Sequence, residues 1–177
     1  MKSVRKGGAD MPSKTIALKK EIMDILQNVK DPEMKPISIV ELGMVEDIEI
    51  TENTIHVKLL PTFTGCPALD LIKENIKNEV KDALSSLDNK FNVDVKYCYH
   101  PPWTTKRISE EGRKKLKKFG IATPSPDHNP GDPWEIECPY CNSTNITMEN
   151  IFGPAACRSI LYCRQCRNPF EAMKPIA

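Results

Sequence analysis

Two Cys-x-x-Cys pairs constrain this chain more than any other feature: Cys138 with Cys141, and Cys163 with Cys166, separated by 21 residues. Two thiolates at that spacing converge on one ion from a tight turn. Two such turns make a tetrahedral four-sulfur site, which suits zinc, with iron as the alternative. Between the pairs, residues 146–152 and 160–162 read as strands joined across Gly153-Pro154. The expectation is a β zinc ribbon over residues 134–177, a module too small to bury a sufficient core and held by its metal. A closed four-thiolate shell leaves no position for a reactive water, so the metal is structural.

The remaining cysteines support a division of the chain. Cys66 and Cys98 lie in the first 133 residues, whereas five of the seven crowd the last 44. Seven is an odd number, and the basic N-terminal stretch has no apolar run behind it, so reduced thiols in a cytoplasmic setting are expected rather than a disulfide framework. No apolar run is long enough to span a membrane. Six of the 15 prolines fall between Pro101 and Pro133. Proline lacks the donor that helices and central strands need, so residues 101–133 are expected to be a basic helix and a Pro-rich linker between two domains.

Before the linker the pattern is mixed. Residues 1–12 have little to pack and read as a flexible tail. Ser13 is positioned to cap a helix with Ile22, Ile25, Leu26 and Val29 on one face, stopping near Asp31-Pro32. Residues 45–50 and 54–59 alternate as strands across a short polar turn. A long helix over residues 68–87 carries Leu69, Ile72, Ile76, Val80, Ala83, Leu84 and Leu87 on one face, and residues 91–97 alternate again. The fold class expected for residues 13–100 is α+β: a small α-β-β-α-β sandwich with its helices on one face of a three-stranded sheet.

Residues 104–120 carry seven basic side chains against Glu110 and Glu111, with Gly120 as the helix stop. The cluster Arg113, Lys114, Lys115, Lys117 and Lys118 is either a solvated face or a contact for an acidic partner. Nucleic acid is disfavoured, because the formal charge of the chain is only +1 and no aromatic ladder accompanies the basic helix. Cys66, in Gly65-Cys66-Pro67-Ala68, directly precedes the long helix, with Pro67 at its first position. Unpaired N–H groups and the helix dipole there are expected to depress its pKa. Cys157 is a fifth cysteine beside a filled shell, either a packed thiol or an additional ligand. No base accompanies Cys66 in the sequence, which argues against a thiol enzyme.

Several segments together resemble a known family. Asp31-Pro32-Glu33, Ile39-Val40-Glu41-Leu42-Gly43-Met44-Val45 and the TFTGCPA run of residues 62–68 are similar to the SufT-type iron–sulfur assembly domain. Pro102-Trp103-Thr104-Thr105, Gly120-Ile121-Ala122-Thr123-Pro124, CPYC and FGPAACRSILYCRQCRNPF add a resemblance to the PaaD family, accessory proteins of the phenylacetyl-CoA ring-epoxidising oxygenase. The family's GIAPP-like segment has Thr123 in place of its first proline. The resemblance implies a non-catalytic role in maturing iron–sulfur or iron centres of a multicomponent oxygenase in phenylacetate catabolism. It implies that Cys66, with Asp31 and Glu33, holds iron or a cluster transiently, and it gives Cys157 added interest. Partners implied are oxygenase or reductase subunits of that pathway and iron–sulfur assembly machinery. A structural subunit of the oxygenase is the competing expectation, and a nucleic-acid-binding ribbon a weaker one.

Overall fold

A computed structural model describes residues 11–51, 53–85, 91–129 and 131–175. The expected tail at residues 1–12 lies mostly outside this range. Helix α1 (Met11–Leu26) starts two residues before Ser13, so Ser13 is inside the helix rather than its cap. Strands β1 (Val45–Ile50) and β2 (Thr54–Leu59) form the expected antiparallel hairpin. Helix α2 (Leu69–Ala83) follows, and β3 (Asn92–Tyr97) pairs parallel with β2. A parallel neighbour cannot be reached by a tight turn, so α2 serves as the crossover and covers one face of the β1-β2-β3 sheet.

Alternation decides which face is covered. Ile55, Val57 and Leu59 on β2, with Val93 and Val95 on β3, are buried against Ile22 and Leu26 of α1 and Ile72, Ile76 and Val80 of α2. The opposite face carries an exposed polar ladder in which Lys58 bridges Asp47 and Glu49, and Asp94 bridges His56 and Lys96.

Residues 101–122 contain the expected basic helix and pack into the first core. Trp103, Ile108, Leu116 and Ile121 are all buried in the first core. The indole Nε1 of Trp103 donates to the Leu42 carbonyl at 2.8 Å, and Arg107 donates to the Gly43 carbonyl and pairs with Glu46 at 2.7 Å. Gly43 has φ +67°, and a Cβ there would lie 2.2 Å from the Arg107 carbonyl oxygen, so the backbones approach as only glycine permits. Helix α3 (Glu110–Lys118) is capped by Ser109, whose hydroxyl accepts from the Gly112 amide, and it stops at Gly120 (φ +83°) as expected. The prolines punctuate the segment without freeing it.

The basic cluster on α3 is largely engaged. Arg113 donates to the carbonyls of Thr105 and Pro124 and to the Thr123 hydroxyl. Lys115 pairs with Glu41, Lys114 with Glu110 and Glu111, and Lys117 donates to Asn142. Arg113, Lys114, Lys115 and Lys117 are therefore engaged with neighbouring groups of the fold.

The second sheet has order β4-β7-β6-β5, with β4 (Ile121–Ala122), β5 (Ile146–Asn150), β6 (Arg158–Cys163) and β7 (Asn168–Met173). Two of these strands are not foreshadowed by the sequence pattern. The first, β4, is only two residues long, and the second, β7, contains Pro169. The β4–β7 parallel pairing begins before the Pro-rich stretch, so the ribbon's sheet extends to residue 121. Ile121 and Met173 belong to the first core and Ala122 and Ala172 to the second. The two units therefore share a seam.

Candidate metal and thiol sites

The four cysteines of the two pairs converge. Their sulfurs all lie within 4.8 Å of one another, with Cys138···Cys166 and Cys141···Cys163 each 3.6 Å apart. A tetrahedral zinc with bonds of about 2.3 Å requires sulfur–sulfur edges of about 3.8 Å, so the residues fit the metal. Both turns are built alike. The amide of Asn142 donates to the Cys138 carbonyl and that of Arg167 to the Cys163 carbonyl, and both residues take φ 59°. The hydrogen bond back to the first cysteine closes each turn around its pair, and the left-handed residue then redirects the chain out of it.

Without a cation this cluster is electrostatically uneven. Burial pushes the Cys138 thiol up to about 12, while the side-chain amide of Asn168 and the neighbouring thiols bring Cys166 down to about 7. A divalent ion is what allows all four to be thiolates together.

The second site gathers at the seam. Asp31 is only 5% exposed, and its Oδ1 accepts from the amides of Glu33 (2.8 Å) and Met34 (2.9 Å). That Asx turn shapes the loop after α1 and occupies one carboxylate oxygen. Burial raises the Asp31 pKa against these hydrogen bonds and the nearby Arg158. Cys66 is half-buried on the loop leading into α2, whose N-cap is Ala68, so Pro67 precedes the cap rather than occupying the first helical position. Its thiol is raised, not lowered. Burial acts first and the charges of Glu33 and Asp31 add to it, outweighing the Ala68 amide. The expected depression fails because burial of the thiol, reinforced by two carboxylates, outweighs the amide at the helix end. Tyr97, whose hydroxyl donates to the Leu69 carbonyl at 2.9 Å, is also pushed up, by burial first and then by Cys66, Asp70 and Asp31.

The ribbon reaches this place through Cys157 and Arg158. Cys157 is 6% exposed and outside the four-sulfur cluster. Its thiol is pushed up to about 11, chiefly by burial, with Arg158 opposing and Asp31, Cys66 and Glu33 contributing. The Arg158 side chain is 6% exposed, pairs with Glu171 and extends to Glu33, at 3.5 Å from its carbonyl and 3.9 Å from its carboxylate. Its Nε is buried without a hydrogen-bond partner. Arg158 is a buried charge at the seam that the sequence motifs do not single out. The available signal is one charge set between Ala155-Ala156-Cys157 and the apolar Ile160-Leu161. Among the described residues, only the four ribbon cysteines gather closely enough around one point to suit a single ion.

Comparisons with known proteins follow this two-part construction. A family model described as iron–sulfur cluster assembly protein matches residues 19–95, and one described as PaaD zinc beta ribbon domain matches residues 122–174. An Escherichia coli (strain K12) protein, provisionally named as a component of 1,2-phenylacetyl-CoA epoxidase, is 32% identical over 158 residues, covering 88% of this chain and 92% of that one. The "Fe-S protein maturation auxiliary factor YitW" of Bacillus subtilis (strain 168) is 37% identical over 101 residues, 56% of this chain and 94% of its own. Among solved structures, a domain of unknown function, DUF59, from Bacillus anthracis superposes with a TM-score of 0.55 at 25% identity, covering 59% of this chain and 96% of that chain. With an iron–sulfur assembly domain, a four-cysteine ribbon that fits structural zinc, and a relative aligned along most of its length, the chain belongs to the PaaD family.

Proposed function

We propose that this protein is a non-catalytic accessory that helps mature iron–sulfur or iron centres of a phenylacetyl-CoA-type multicomponent oxygenase in phenylacetate catabolism, acting in the cytoplasm. The observation that carries the reading is the half-buried Cys66 thiol on the loop before α2, within electrostatic reach of Asp31 and Glu33. A thiol and carboxylates placed together are repelled from their charged forms until a cation arrives. Such a site releases its proton to metal and takes it back when metal leaves, which suits an iron or cluster cargo in transit. Cys66 is the transient ligand. Asp31 shapes the loop with one oxygen and offers the other, and Glu33 adds charge. The zinc ribbon is a fixed structural module, and the partners are oxygenase or reductase subunits and the iron–sulfur assembly machinery. Support comes from the relatives named above as maturation factor and epoxidase component.

The test is deletion in the native host, followed by iron and acid-labile sulfide content of the purified oxygenase components. Complementation uses Cys66→Ala at wild-type abundance. Metal-deficient oxygenase in both strains supports the reading, and normal metal content in the deletion strain removes it. The naming of the E. coli relative as an epoxidase component favours a second reading, a structural subunit that remains in the complex. Stoichiometric co-purification with a fully metallated oxygenase that loses activity on deletion would support that alternative.

A further inference from the structure

We propose that Cys157 of the ribbon supplies a second thiolate to the Cys66 site, so that an iron–sulfur cluster in transit is held between the two units, with the Arg158 Nε donating a hydrogen bond to it. This rests on the reading of Cys66 as a cargo ligand.

Three observations converge on the seam. First, Cys157 is nearly inaccessible from outside and directly precedes Arg158, whose guanidinium lies against Glu33 of the other unit. A thiol packed only as a small hydrophobe would be surrounded by apolar groups. Second, Arg158 brings a buried guanidinium across the seam to Glu33 while leaving Nε without an acceptor. A buried donor without a partner is destabilising, so an acceptor belonging to a visiting group would relieve it. Third, the ribbon is fixed in this position by the β4–β7 pairing and by Met173 in the first core. Cys157, adjacent in sequence to Arg158, is therefore held at the seam beside the Glu33 loop by construction.

The donor set also selects the class of cargo. Two soft thiols favour iron or another thiophilic metal over magnesium or calcium. A bare ferrous ion would satisfy the thiolates but offers no acceptor to a buried N–H. Inorganic sulfide within an iron–sulfur cluster accepts hydrogen bonds, and its irons take thiolates. Asp31, Glu33, Cys66 and Cys157 are not gathered tightly enough for one ion, whereas the four ribbon cysteines are. A polynuclear cluster spans a wider gap than one ion. On binding, each thiol loses its proton to solvent as its sulfur joins iron. No electron is exchanged.

The test uses the full-length, zinc-loaded protein incubated anaerobically with ferric and ferrous iron, sulfide and a thiol. Iron, sulfide and zinc per chain are measured, with visible absorbance and the rate of cluster loss to an iron chelator. Wild type is compared with Cys66→Ser, Cys157→Ser, Cys157→Ala and Arg158→Lys. Unchanged zinc content and thermal unfolding identify folded variants, and the two substitutions at Cys157 guard against one of them misfolding. The expected result is loading in wild type, loss in Cys66→Ser, and loss or chelator release accelerated about tenfold or more in both Cys157 variants. Outer-shell partners alone change metal affinity by roughly 10–100-fold, and Arg158→Lys, which keeps the charge but lacks Nε–H, should fall near the lower end. Normal loading and lability in the Cys157 variants, with loss in Cys66→Ser, would overturn the second thiolate and leave the Cys66 reading standing. Normal lability in Arg158→Lys would overturn the hydrogen bond. Absence of loading in wild type, or full loading in Cys66→Ser, would overturn the Cys66 reading and this inference with it.

Discussion

Lys115→Met tests whether α3 is part of the fold or a free basic surface. Lys115 pairs with Glu41, whose side chain is 11% exposed against 39% for the lysine. Glu41 also accepts from the Ser38 amide at 2.9 Å, while its own amide donates to the Ser38 hydroxyl at 3.1 Å. This reciprocal cap holds the turn before Gly43. Breaking a fully buried ion pair costs about 3–5 kcal/mol and an exposed pair about 0–1 kcal/mol. Discounted for the solvent around Lys115, this pair falls between, at about 1–2 kcal/mol. In a chain of this size each kcal/mol moves Tm by about 2–4 °C, so a fall of about 2–8 °C is expected in thermal unfolding followed by circular dichroism. Lys118→Met, at an exposed position, serves as the control. Burial works to raise the Glu41 pKa, but the Lys115 ammonium and Ser38 outweigh it and the group is lowered. Its stabilising contribution is therefore present above the usual carboxylate pKa of about 4.3 and is lost as pH falls through the lower folded value. Wild type and Lys115→Met should converge in acid, and comparing them at each pH cancels the shared loss of ribbon metal. Equal Tm at pH 7, or a gap that persists unchanged at pH 3, would refute the reasoning.

Metal analysis of native protein should find one zinc per chain, released as pH falls because protons compete for the four sulfurs. Cys163→Ser, at a fully buried ligand position, should abolish that binding and unfold β5–β7, and a native zinc stoichiometry in the variant would contradict the site. Gly43→Ala should cost about 3 kcal/mol or more, since it combines left-handed backbone with a collision against Arg107. A midpoint of urea unfolding near wild type would disprove the close approach. Alkylation of Cys66 by iodoacetamide at pH 7 should be slower than that of a free thiol and rise with pH, because burial and two carboxylates raise its pKa. Glu33→Gln should speed it by removing one of those charges. Reaction faster than a free thiol in wild type would restore the helix-dipole expectation.

How far the fold could be read from residues alone depended on the range of the forces involved. The hairpin β1–β2 and the face of α2 follow from local alternation and period, which tertiary contacts only reinforce. The four-sulfur ribbon was legible because metal coordination imposes a spacing that chance seldom reproduces. The packing of residues 101–122 onto the first core is not legible locally, because Trp103 and Arg107 are fixed by carbonyls more than 60 residues earlier, at Leu42 and Gly43. Local composition holds no trace of such partners. β7 was missed for a similar reason: Pro169 argues against a strand, but pairing with β6 carries it. At the thiol site the helix-end argument was locally sound. It failed chiefly because the burial of Cys66, set by tertiary packing, cannot be read from its neighbours in sequence, and the charges of Glu33 and Asp31 add to it.

Met173 has no solvent exposure and belongs to the core beneath the first sheet, 76 positions after that sheet's last strand residue, Tyr97. During synthesis the N-terminal unit therefore emerges with an open patch of its interior that only a much later stretch can close. β7 in turn aligns against β6, which joins the two cysteine knuckles. Completion of the earlier unit is thus deferred until the later one has acquired its ion. A cell starved of zinc should accumulate this chain with its assembly domain unsealed, open to proteases at a region that carries no zinc ligand.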